Sequence, residues 1–420
     1  MNYPNHNTEY LQAADRIGRR LCRDAVWAGS RCNWMGWSME AMNGTWAPAW
    51  RALGSELYGG TAGVALFLAR LWQITSDAVE RSTLIGALNQ ALEGASGLDP
   101  LVKTGFYSGT SGIGYALIEA GTILEHEGMV QQGIEELISL RDVALDRRMV
   151  DVIAGSAGAI PVLLDIGERF GRDELIETAR IHGNHLLTLA HKSEEGWSWD
   201  TMQVTGQKNL TGYSHGTAGI AHALLELHRA TGEAPYLEAA REGLRYERTS
   251  FSPAHLNWPD FRKMDPSAAD APPVYMTAWC HGAPGIGMSR LRVRELLHQD
   301  PVVLEEVEFA LKTTAAALAQ PVGPGMGNYS LCHGSCGNAE LMIMAADRLG
   351  RRDLRQPAET LGQIGLEHCS RTDQPWACGV QNAGETPGLL LGLAGIGYFY
   401  LRLYDSRAVP SVLVYPHSQN

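Results

Sequence analysis

The sequence lacks the features of an exported, membrane-spanning or nucleic-acid-binding protein. Its first residues contain no basic segment followed by an apolar one, so no secretory signal is predicted. The most apolar run, Gly388–Tyr400, is shorter than the roughly 20 residues of a membrane helix and is interrupted by glycines. No cluster of Lys and Arg is interleaved with aromatic residues, and a net charge of -12 would repel a phosphate backbone. These absences predict a cytoplasmic protein with no transmembrane segment and no nucleic-acid partner.

Charged residues are also scarce, at 19% against the roughly 25% that is typical, whereas hydrophobic residues reach 45%. Much of the chain is therefore expected to be interior. The seven cysteines are an odd number in a long chain without an export signal, which favours reduced thiols over a disulfide framework. A C-x-x-C-H motif is absent, so covalent haem attachment is excluded.

A short motif, G-x-x-G followed directly by an apolar segment, recurs along the chain and predicts an internal repeat. The 47 glycines follow no strict short period, but many of them fall in this motif. The seven copies begin at intervals of about 50 residues, which is typical of repeated helical units. They are Gly60–Gly63, Gly109–Gly112, Gly155–Gly158, Gly216–Gly219, Gly282–Gly285, Gly334–Gly337 and Gly392–Gly395.

Each motif is followed by about three helical turns that are apolar nearly all round, which predicts a helix buried on most sides. Amphipathic stretches between the copies predict outer helices; these are Ser76–Ser96, Asp173–His191, Ala234–Thr249, Pro301–Ala319 and Arg351–Ser370. The pattern predicts an all-α fold, a double-layered α/α toroid of seven helix pairs whose inner helices begin at the G-x-x-G motifs. An open solenoid needs polar end caps, and the last repeat is as apolar as the others. One domain is expected over residues 1–420.

Three longer stretches do not follow the repeat. Trp27–Tyr58 contains five tryptophans, Ser193–Gly212 looks extended, and Phe251–Thr277 is rich in proline. Loops of this length in a compact domain tend to be lids or binding walls. We therefore expect irregular segments along one rim of the toroid.

Reactive side chains occupy equivalent positions just before the first glycine of three consecutive repeats. The pairs are Ser214 with His215, Cys280 with His281, and Cys332 with His333. Quasi-symmetry gives residues about 50 apart a reason to converge, and thiolate and imidazole are preferred zinc ligands. Two thiolates and one imidazole would leave an open coordination position, which is typical of a site that activates a substrate thiol. The alternative is that the two cysteines are small buried residues at helix starts.

These motifs together resemble the lanthionine synthetase C-like, or LanC, family of cyclases. The residues that carry the resemblance are Asp151–Gly158, Gly212–Gly219, Trp279–Gly285 and Leu331–Asn338, and the likeness covers the chain from about Leu57 to Tyr404. The amino-acid sequences of the last two motifs are most similar to those of the cyclase domain of bifunctional lanthipeptide synthetases. The dehydratase domain expected before it is missing, so the resemblance implies a stand-alone cyclase, with a dehydratase as a candidate separate partner.

The resemblance implies that Cys280, Cys332 and His333 bind zinc. The metal would activate a cysteine thiol of a dehydrated precursor peptide, leader plus core, and this thiol would add to dehydroalanine or dehydrobutyrine to form lanthionine or methyllanthionine. His215 matches the catalytic histidine of the family and Asp151 its acidic partner. A histidine is a reasonable general acid near neutral pH, although both residues could instead cap helices.

The sequence departs from the family pattern at two positions. Some members have Arg four residues before the first zinc cysteine and Tyr directly after it, whereas this chain has Met276 and His281. An arginine that stabilises the enolate is therefore in doubt. His281 is a third catalytic candidate, as proton donor or supporting group, with packing as its alternative. Cys336 could be another ligand, but its place inside a G-x-x-G motif favours packing; Cys22, Cys32, Cys369 and Cys378 are expected to be structural or incidental.

Three other functions remain open at this stage. Eukaryotic members of the family bind glutathione and add it to dehydroamino acids, with similar zinc motifs. A non-catalytic, zinc-stabilised scaffold could bind a peptide through its tryptophan-rich stretch. An α/α-barrel glycosidase or epimerase would need paired carboxylates, whereas the repeat positions carry Cys and His, so this third alternative is disfavoured.

Overall fold

The computed structural model describes residues 7–42, 45–262, 272–298, 300–322, 327–372 and 374–415. The chain divides into two compact units. The first comprises residues 1–98, 112–135 and 318–413, and the second comprises residues 99–111, 136–317 and 414–420. Each unit is described separately below, and the single domain expected over residues 1–420 stays a prediction.

Seven helices begin directly after the first glycine of a G-x-x-G motif, as the repeat predicts. They are α2 (Thr61–Thr75), α4 (Thr110–Ile123), α6 (Ser156–Phe170), α8 (Thr217–Thr231), α10 (Ala283–Leu296), α12 (Ser335–Leu349) and α14 (Leu393–Tyr404). All residues of α8 from Thr217 to Leu227 are buried, polar ones included. A helix that is apolar on every face must be covered on every face, which explains why these helices form the interior of each unit.

The other seven described α-helices alternate with them along the chain. They are α1 (Asn7–Asp24), α3 (Ala78–Ala95), α5 (Glu127–Ile138), α7 (Asp173–Leu189), α9 (Ala234–Ser250), α11 (Pro301–Leu318) and α13 (Gln356–Gly365). Five lie in the predicted amphipathic stretches, whereas α1 and α5 lie outside them. In α1 the buried residues Tyr10, Ala14, Ile17 and Leu21 recur at helical spacing, so a scan for this period would have found it.

Local sequence explains where these helices begin and end. Asp77 caps α3, because its carboxylate accepts a hydrogen bond from the Val79 N–H at 2.8 Å. At the other end of a helix, Gly232 follows α8 with φ +72°, and its N–H donates to the carbonyl of His228. Glycine adopts this left-handed conformation without a steric penalty and so stops the helix. The α13 segment is less regular, with a 3₁₀ turn before it and a π turn after it.

In the first unit, α14 packs against α1, α2 and α12. The approach of α14 to α2 is close, since a Cβ added at Gly397 would lie 2.4 Å from the Phe67 ring. The first and the last motif-initiated helices are therefore neighbours. An open solenoid does not bring its first and last repeats together, so this contact favours the closed arrangement over the open one.

In the second unit, the buried helices are packed in chain order. Helix α8 lies between α6 and α10, and α7 and α9 pack on α6 and α8 respectively. Helices α7 and α9 thus each cover the motif-initiated helix that precedes them in the chain. Within the described residues, no helix has both the length and the apolar character needed to cross a membrane.

Antiparallel hairpins occupy two of the stretches expected to be irregular. Strands β1 (Val26–Ala28) and β2 (Arg31–Asn33) pair, as do β3 (Met35–Met42) and β4 (Thr45–Ala52), and β5 (His191–Ser193) pairs with β6 (Gly196–Ser198). The expectation of an irregular segment over 27–58 is therefore wrong. In β4, Trp46 and Trp50 are four residues apart and so lie on the same face of the strand, and Trp50 opposes Trp37 of β3 with ring centroids 5.2 Å apart. In the proline-rich stretch 251–277, residues 263–271 lie outside the described part.

Candidate functional site

In the first unit, backbone hydrogen bonds join the positions two residues before the first glycine of successive repeats. The N–H of Cys332 donates to the carbonyl of Leu390 at 2.9 Å, and the N–H of Leu390 donates to the carbonyl of Tyr58 at 2.8 Å. The alignment predicted for these positions is confirmed here. Tyr58 therefore occupies the position in its repeat that Cys332 and Leu390 occupy in theirs.

The second unit repeats this arrangement. The N–H of Tyr107 donates to the carbonyl of Ile153 at 3.2 Å, and the N–H of Ser214 donates to the carbonyl of Cys280 at 3.2 Å. The Ser214 hydroxyl donates to the same Cys280 carbonyl, also at 3.2 Å. His215 follows Ser214 directly, so this pairing brings the loop of the candidate catalytic histidine against the loop of a candidate metal ligand.

The glycines of the motif allow each loop to fold back onto its own helix. A Cβ added at Gly219 would lie 2.1 Å from the carbonyl oxygen of Tyr213, and one added at Gly285 would lie 1.9 Å from that of Trp279. The closest approach of these two glycines is to the loop of the same repeat, because the carbonyl that precedes each helix turns back toward its first turn. A side chain of the preceding repeat is also near, since the Gly219 Cβ would lie 2.5 Å from Val152.

His215 and Asp151 form the hydrogen bond that the sequence predicted. Nδ1 of His215 lies 2.6 Å from Oδ2 of Asp151, and the Asp151 side chain is 11% exposed. The other carboxylate oxygen, Oδ1, accepts the N–H of Ala154 at 2.7 Å. Asp151 therefore caps its own loop and orients His215 at once, so the two roles considered for it do not exclude each other.

The surroundings of His215 act on its pKa in opposite directions. Burial lowers the pKa of the imidazole, but the Asp151 carboxylate raises it more, and the net pKa lies above the ordinary value. Since a carboxylate can only accept, Nδ1 carries a proton in this hydrogen bond, and Nε2 is the nitrogen that can exchange one. A raised pKa increases the protonated fraction near neutral pH.

His281 lies beside His215 but is much less accessible. It is 1% exposed, and its ring stacks on that of His215 with centroids 5.8 Å apart. The pKa of His281 is lowered to about 3, first by burial and then by the cation of Arg262, while Asp260 acts in the opposite direction. This environment favours a neutral ring that supports His215. A catalytic role for His281 stays a prediction.

Arg262 is a residue that the sequence did not single out. Its guanidinium pairs with the Asp260 carboxylate, with Nη2 at 2.7 Å from Oδ2, and the same Nη2 lies 3.4 Å from the sulfur of Met276. It also lowers the pKa values of His215 and His281. An arginine thus reaches the Met276 position from a different segment. Its place in the proline-rich stretch, outside the repeat, left no sequence signal.

The three predicted metal ligands are found in both units. Cys280 belongs to the second unit and is 7% exposed, whereas Cys332, 6% exposed, and His333 belong to the first. Nε2 of His333 donates to the carbonyl of Gly379 at 2.8 Å, which leaves Nδ1 as the nitrogen with a lone pair. Metal-bound histidines usually make such a hydrogen bond through the other ring nitrogen, so the thiols and this imidazole fit zinc chemistry. No group of three or more His, Cys, Asp or Glu side chains among the described residues has the arrangement of a metal site, and the zinc ligands stay a prediction.

The remaining cysteines are in environments that disfavour the thiolate. Cys336 is fully buried, and burial raises the pKa of its thiol well above the ordinary value. Burial also raises the thiol pKa to about 11 or about 12 at the four others, Cys22, Cys32, Cys369 and Cys378. A buried neutral thiol is a poor nucleophile and a poor ligand. All seven cysteines lie in the described part of the chain, and none of them forms a disulfide.

Comparison with known proteins gives relatives in sequence and in structure. A lacticin 481/lactococcin biosynthesis protein of Lactococcus lactis subsp. lactis is 24% identical over 258 residues, which are 60% of this chain and 25% of that protein. The chain thus spans about a quarter of the length of this curated relative. Among solved structures, nisin cyclase is similar with a TM-score of 0.63 and 19% identity over 84% of this chain and 89% of that one.

A sugar epimerase from a ruminal bacterium is also similar, with a TM-score of 0.50 and 11% identity over 95% of this chain and 98% of that one. Identities this low show the fold alone, and the fold class predicted from the repeats, an all-α toroid of paired helices, is confirmed by the likeness to nisin cyclase. Because one fold hosts different chemistries, function must be argued from the site. The family model of lanthionine synthetase C-like proteins matches residues 51–414. The chain belongs to the lanthionine synthetase C-like family.

Proposed function

We propose that this protein is a cytoplasmic, zinc-dependent lanthipeptide cyclase. Its reaction would be the addition of a peptide cysteine thiol to dehydroalanine or dehydrobutyrine in the same peptide, which forms the thioether of lanthionine or methyllanthionine. The observation that supports this most is the His215–Asp151 hydrogen bond of 2.6 Å on the loop that pairs with Cys280. It sets an oriented proton donor beside a residue with metal-binding chemistry.

The reaction needs a thiolate, a stabilised anion and a proton donor. The thiol loses its proton, and the sulfur attacks the β-carbon, so that a C–S bond forms and the C=C π bond breaks. The electron pair moves onto the carbonyl oxygen of the same residue as an enolate. A proton delivered to the α-carbon then restores the carbonyl. The atoms balance without an oxidant or a reductant, and no other co-reactant is required.

His215 would deliver this last proton. Asp151 holds Nδ1 and raises the pKa of the ring, so that Nε2–H is available to the α-carbon near neutral pH. Asp151 would keep the ring oriented and stabilise its positive charge, as a carboxylate does for a catalytic imidazole. His281, stacked on the same ring, would support this orientation from the other side.

Arg262 would stabilise the negative charge of the enolate. The Arg262 guanidinium lies against Met276. The Asp260 carboxylate holds it in place by accepting hydrogen bonds from Nε and from Nη2. An oriented cation beside a developing anion lowers the barrier to the chemical step. Arg262→Gln should therefore reduce the rate of ring closure more than it changes KM for the peptide. A change confined to KM would contradict this role.

Cys280, Cys332 and His333 would hold the zinc ion. Bound zinc would supply the acidification of the peptide thiol, because thiolate is favoured at a metal over the free thiol. Metal content can be measured apart from activity. Cys332→Ala should lose zinc, whereas Cys336→Ala, which alters a buried thiol, should keep it while both variants stay folded.

The substrate would be a dehydrated precursor peptide with its leader and core. The dehydroamino acids must be made before cyclisation by removal of water from Ser and Thr, so a dehydratase must act on the same peptide. We infer that this activity can reside on a separate polypeptide. Copurification of the two proteins with the peptide would test the association.

The experiment that tests the proposed function follows ring closure by mass spectrometry. A dehydrated peptide that contains cysteine is incubated with the protein, and free thiols are then alkylated, because cyclisation does not change the mass of the peptide. The wild-type protein should protect the thiols from alkylation. His215→Asn should abolish this protection, whereas His298→Asn, which replaces an exposed histidine of the same unit, should preserve it.

Two outcomes would favour the alternative functions, glutathione addition and peptide binding without catalysis. If a dehydrated peptide without cysteine gains the mass of glutathione, and no ring forms in the cysteine-containing peptide, the protein adds a soluble thiol instead. If the wild-type protein binds the peptide but leaves every thiol open to alkylation, it is a binding scaffold. Ring closure at the same rate without the protein would refute catalysis.

A further inference from the structure

A cleft in the second unit begins next to the loop that carries Asp151. It contains about 450 Å³ of empty space, including the part open to solvent. Val150, Leu189 and Trp199 form its apolar side, and Val150 and Trp199 are each 1% exposed. Val150 directly precedes Asp151, and consecutive Cα atoms are about 3.8 Å apart. The cleft therefore starts one residue away from the partner of His215.

The rest of the cleft is lined by polar side chains, Arg147, His191, Asp200 and Gln203. Within the described part of the chain, Arg147 forms no ion pair with an acidic side chain, Asp200 included. The Asp200 carboxylate already accepts the N–H of Gln203 at 2.7 Å, and the Gln203 side chain donates to the Asp200 carbonyl at 2.7 Å. Gln203 holds this turn with φ +54°, a conformation that residues with a Cβ adopt rarely and that is common at ligand clamps.

The loop that bears Arg147 is fixed on both sides of this residue. The Asp146 carboxylate accepts from Nε of Arg148 at 2.7 Å, and the Asp146 carbonyl accepts from Nε2 of His185 at 3.0 Å. Arg147 lies between the two members of this ion pair, and its side chain is exposed. Its guanidinium is thus a cation on an anchored backbone, at the mouth of a cleft with an apolar wall.

We propose that this cleft is a subsite for an acidic residue of the substrate peptide, an inference that rests on the proposed function. The Arg147 guanidinium donates to the side-chain carboxylate of the peptide, and the Asp200 carboxylate accepts a backbone N–H of the same residue. The methylene groups of the peptide side chain pack against Leu189, the apolar lining residue that is partly exposed. An acidic residue suits the cleft better than a basic one, because the Asp200 carboxylate already accepts a hydrogen bond. The Arg147 guanidinium acts on the neighbouring Asp146 carboxylate only through space and forms no ion pair among the described residues.

The position of the cleft predicts where the acidic residue stands in the peptide. His215 delivers a proton to the α-carbon of the former dehydroamino acid, and the cleft begins one residue beyond the partner of His215. An extended peptide advances about 3.3 Å per residue. The acidic residue should therefore lie within a few positions of the reacting dehydroamino acid, and its capture would help to select which one reacts.

Binding can be measured with a peptide that cannot cyclise. The probe is a short fluorescein-labelled peptide with dehydroalanine, Ser in place of Cys, and a Glu two residues from the dehydroalanine; a matched peptide carries Gln there. By fluorescence anisotropy, the wild-type protein should bind the Glu peptide about 3- to 5-fold more tightly than the Gln peptide, as for a partly exposed ion pair. Arg147→Gln should remove this difference, and Arg147→Lys should restore part of it.

The control is Arg141→Gln, which replaces another exposed arginine of the same unit and should leave both affinities unchanged. Circular dichroism establishes that the variants are folded. Equal affinities of the wild-type protein for the two peptides would overturn the subsite, and so would an equal loss of both in Arg147→Gln. If the Glu preference is present but no cysteine-containing peptide is cyclised, the proposed function fails while the acidic subsite stands.

Discussion

Glu80→Gln should stabilise the first unit at about pH 8 and leave its stability near pH 5 almost unchanged. The Glu80 side chain belongs to α3, is 1% exposed, and accepts a hydrogen bond from the Thr75 hydroxyl at 2.5 Å. The pKa of this carboxyl is raised to about 7, mainly by burial. The Thr75 hydroxyl and Arg19 act to lower the pKa, and the carboxylates of Asp77 and Asp15 act to raise it. At alkaline pH the native protein therefore contains a buried, ionised carboxylate whose negative charge is only partly offset by its neighbours.

The sign follows from the two pKa values of this one group. Between about 4.5, the ordinary value, and about 7 in the folded protein, the folded state keeps a proton that the unfolded state has lost. The contribution to stability is fully present below the lower value and is lost as the pH rises through the higher one, by about 1.4 kcal/mol per pH unit. The whole range corresponds to about 3 kcal/mol. For a chain of this length that unfolds in a single transition, a loss of this size corresponds to a decrease in Tm of about 3 to 4 °C.

The measurement is thermal unfolding by circular dichroism across this pH range for the wild type and Glu80→Gln. Glutamine keeps an acceptor for Thr75 but carries no charge, so about 1 to 3 kcal/mol of the loss should be recovered at the alkaline end. Glu93→Gln is the control, because Glu93 lies on the same helix, is 67% exposed and forms a surface ion pair with Arg31, which contributes little to stability. If the stability of Glu80→Gln falls with pH as steeply as that of the wild type, the assignment of the raised pKa to Glu80 is refuted.

Other predictions concern the site and its loops. Asp151→Asn should slow ring closure by about a hundredfold in the mass-spectrometric assay, because a neutral amide cannot stabilise protonated His215; an unchanged rate would exclude the pair from catalysis. Gly219→Ala should destabilise the protein by roughly 2 kcal/mol or more in urea, since the new Cβ would lie 2.1 Å from the Tyr213 carbonyl oxygen; wild-type stability would show that this loop yields freely. Cys332→Ala should lose bound zinc by elemental analysis, and full retention would exclude Cys332 as a ligand.

Periodicity and glycine spacing were enough to predict the helices and their alternation. An apolar stretch without a polar face, such as the first turns of α8, is stable only when it is buried on all sides. This requirement can be deduced from the amino-acid sequence alone. The repeat also aligned Ser214 with Cys280, and the structure joins these two by a hydrogen bond. The pairing of His215 with Asp151 was predicted through the family resemblance and is confirmed by geometry.

The hairpin of β3 and β4 shows a different limit. Trp46 and Trp50 lie four residues apart, a spacing that places both on one face of a strand, but the helical repeat does not extend over this stretch and so gives no information about it. Helix α1 was missed for a related reason, because it precedes the first G-x-x-G motif. In both cases the information was local and was present in the sequence.

The amino-acid sequence is enough to predict the repeat: which helices are buried, where each begins, and which reactive side chains occupy equivalent positions. The contact of Arg262 with Met276 and the burial of His281 against His215 are visible only in the folded chain. The same holds for the place of Arg147 and Asp200 at the border of one cleft. The physical reason is that periodicity records which face of a segment leaves water, whereas the meeting of two loops depends on how all the helices between them pack. Residues outside the repeat show no periodic pattern from which their contacts could be predicted, and their partners are determined only when the chain has folded.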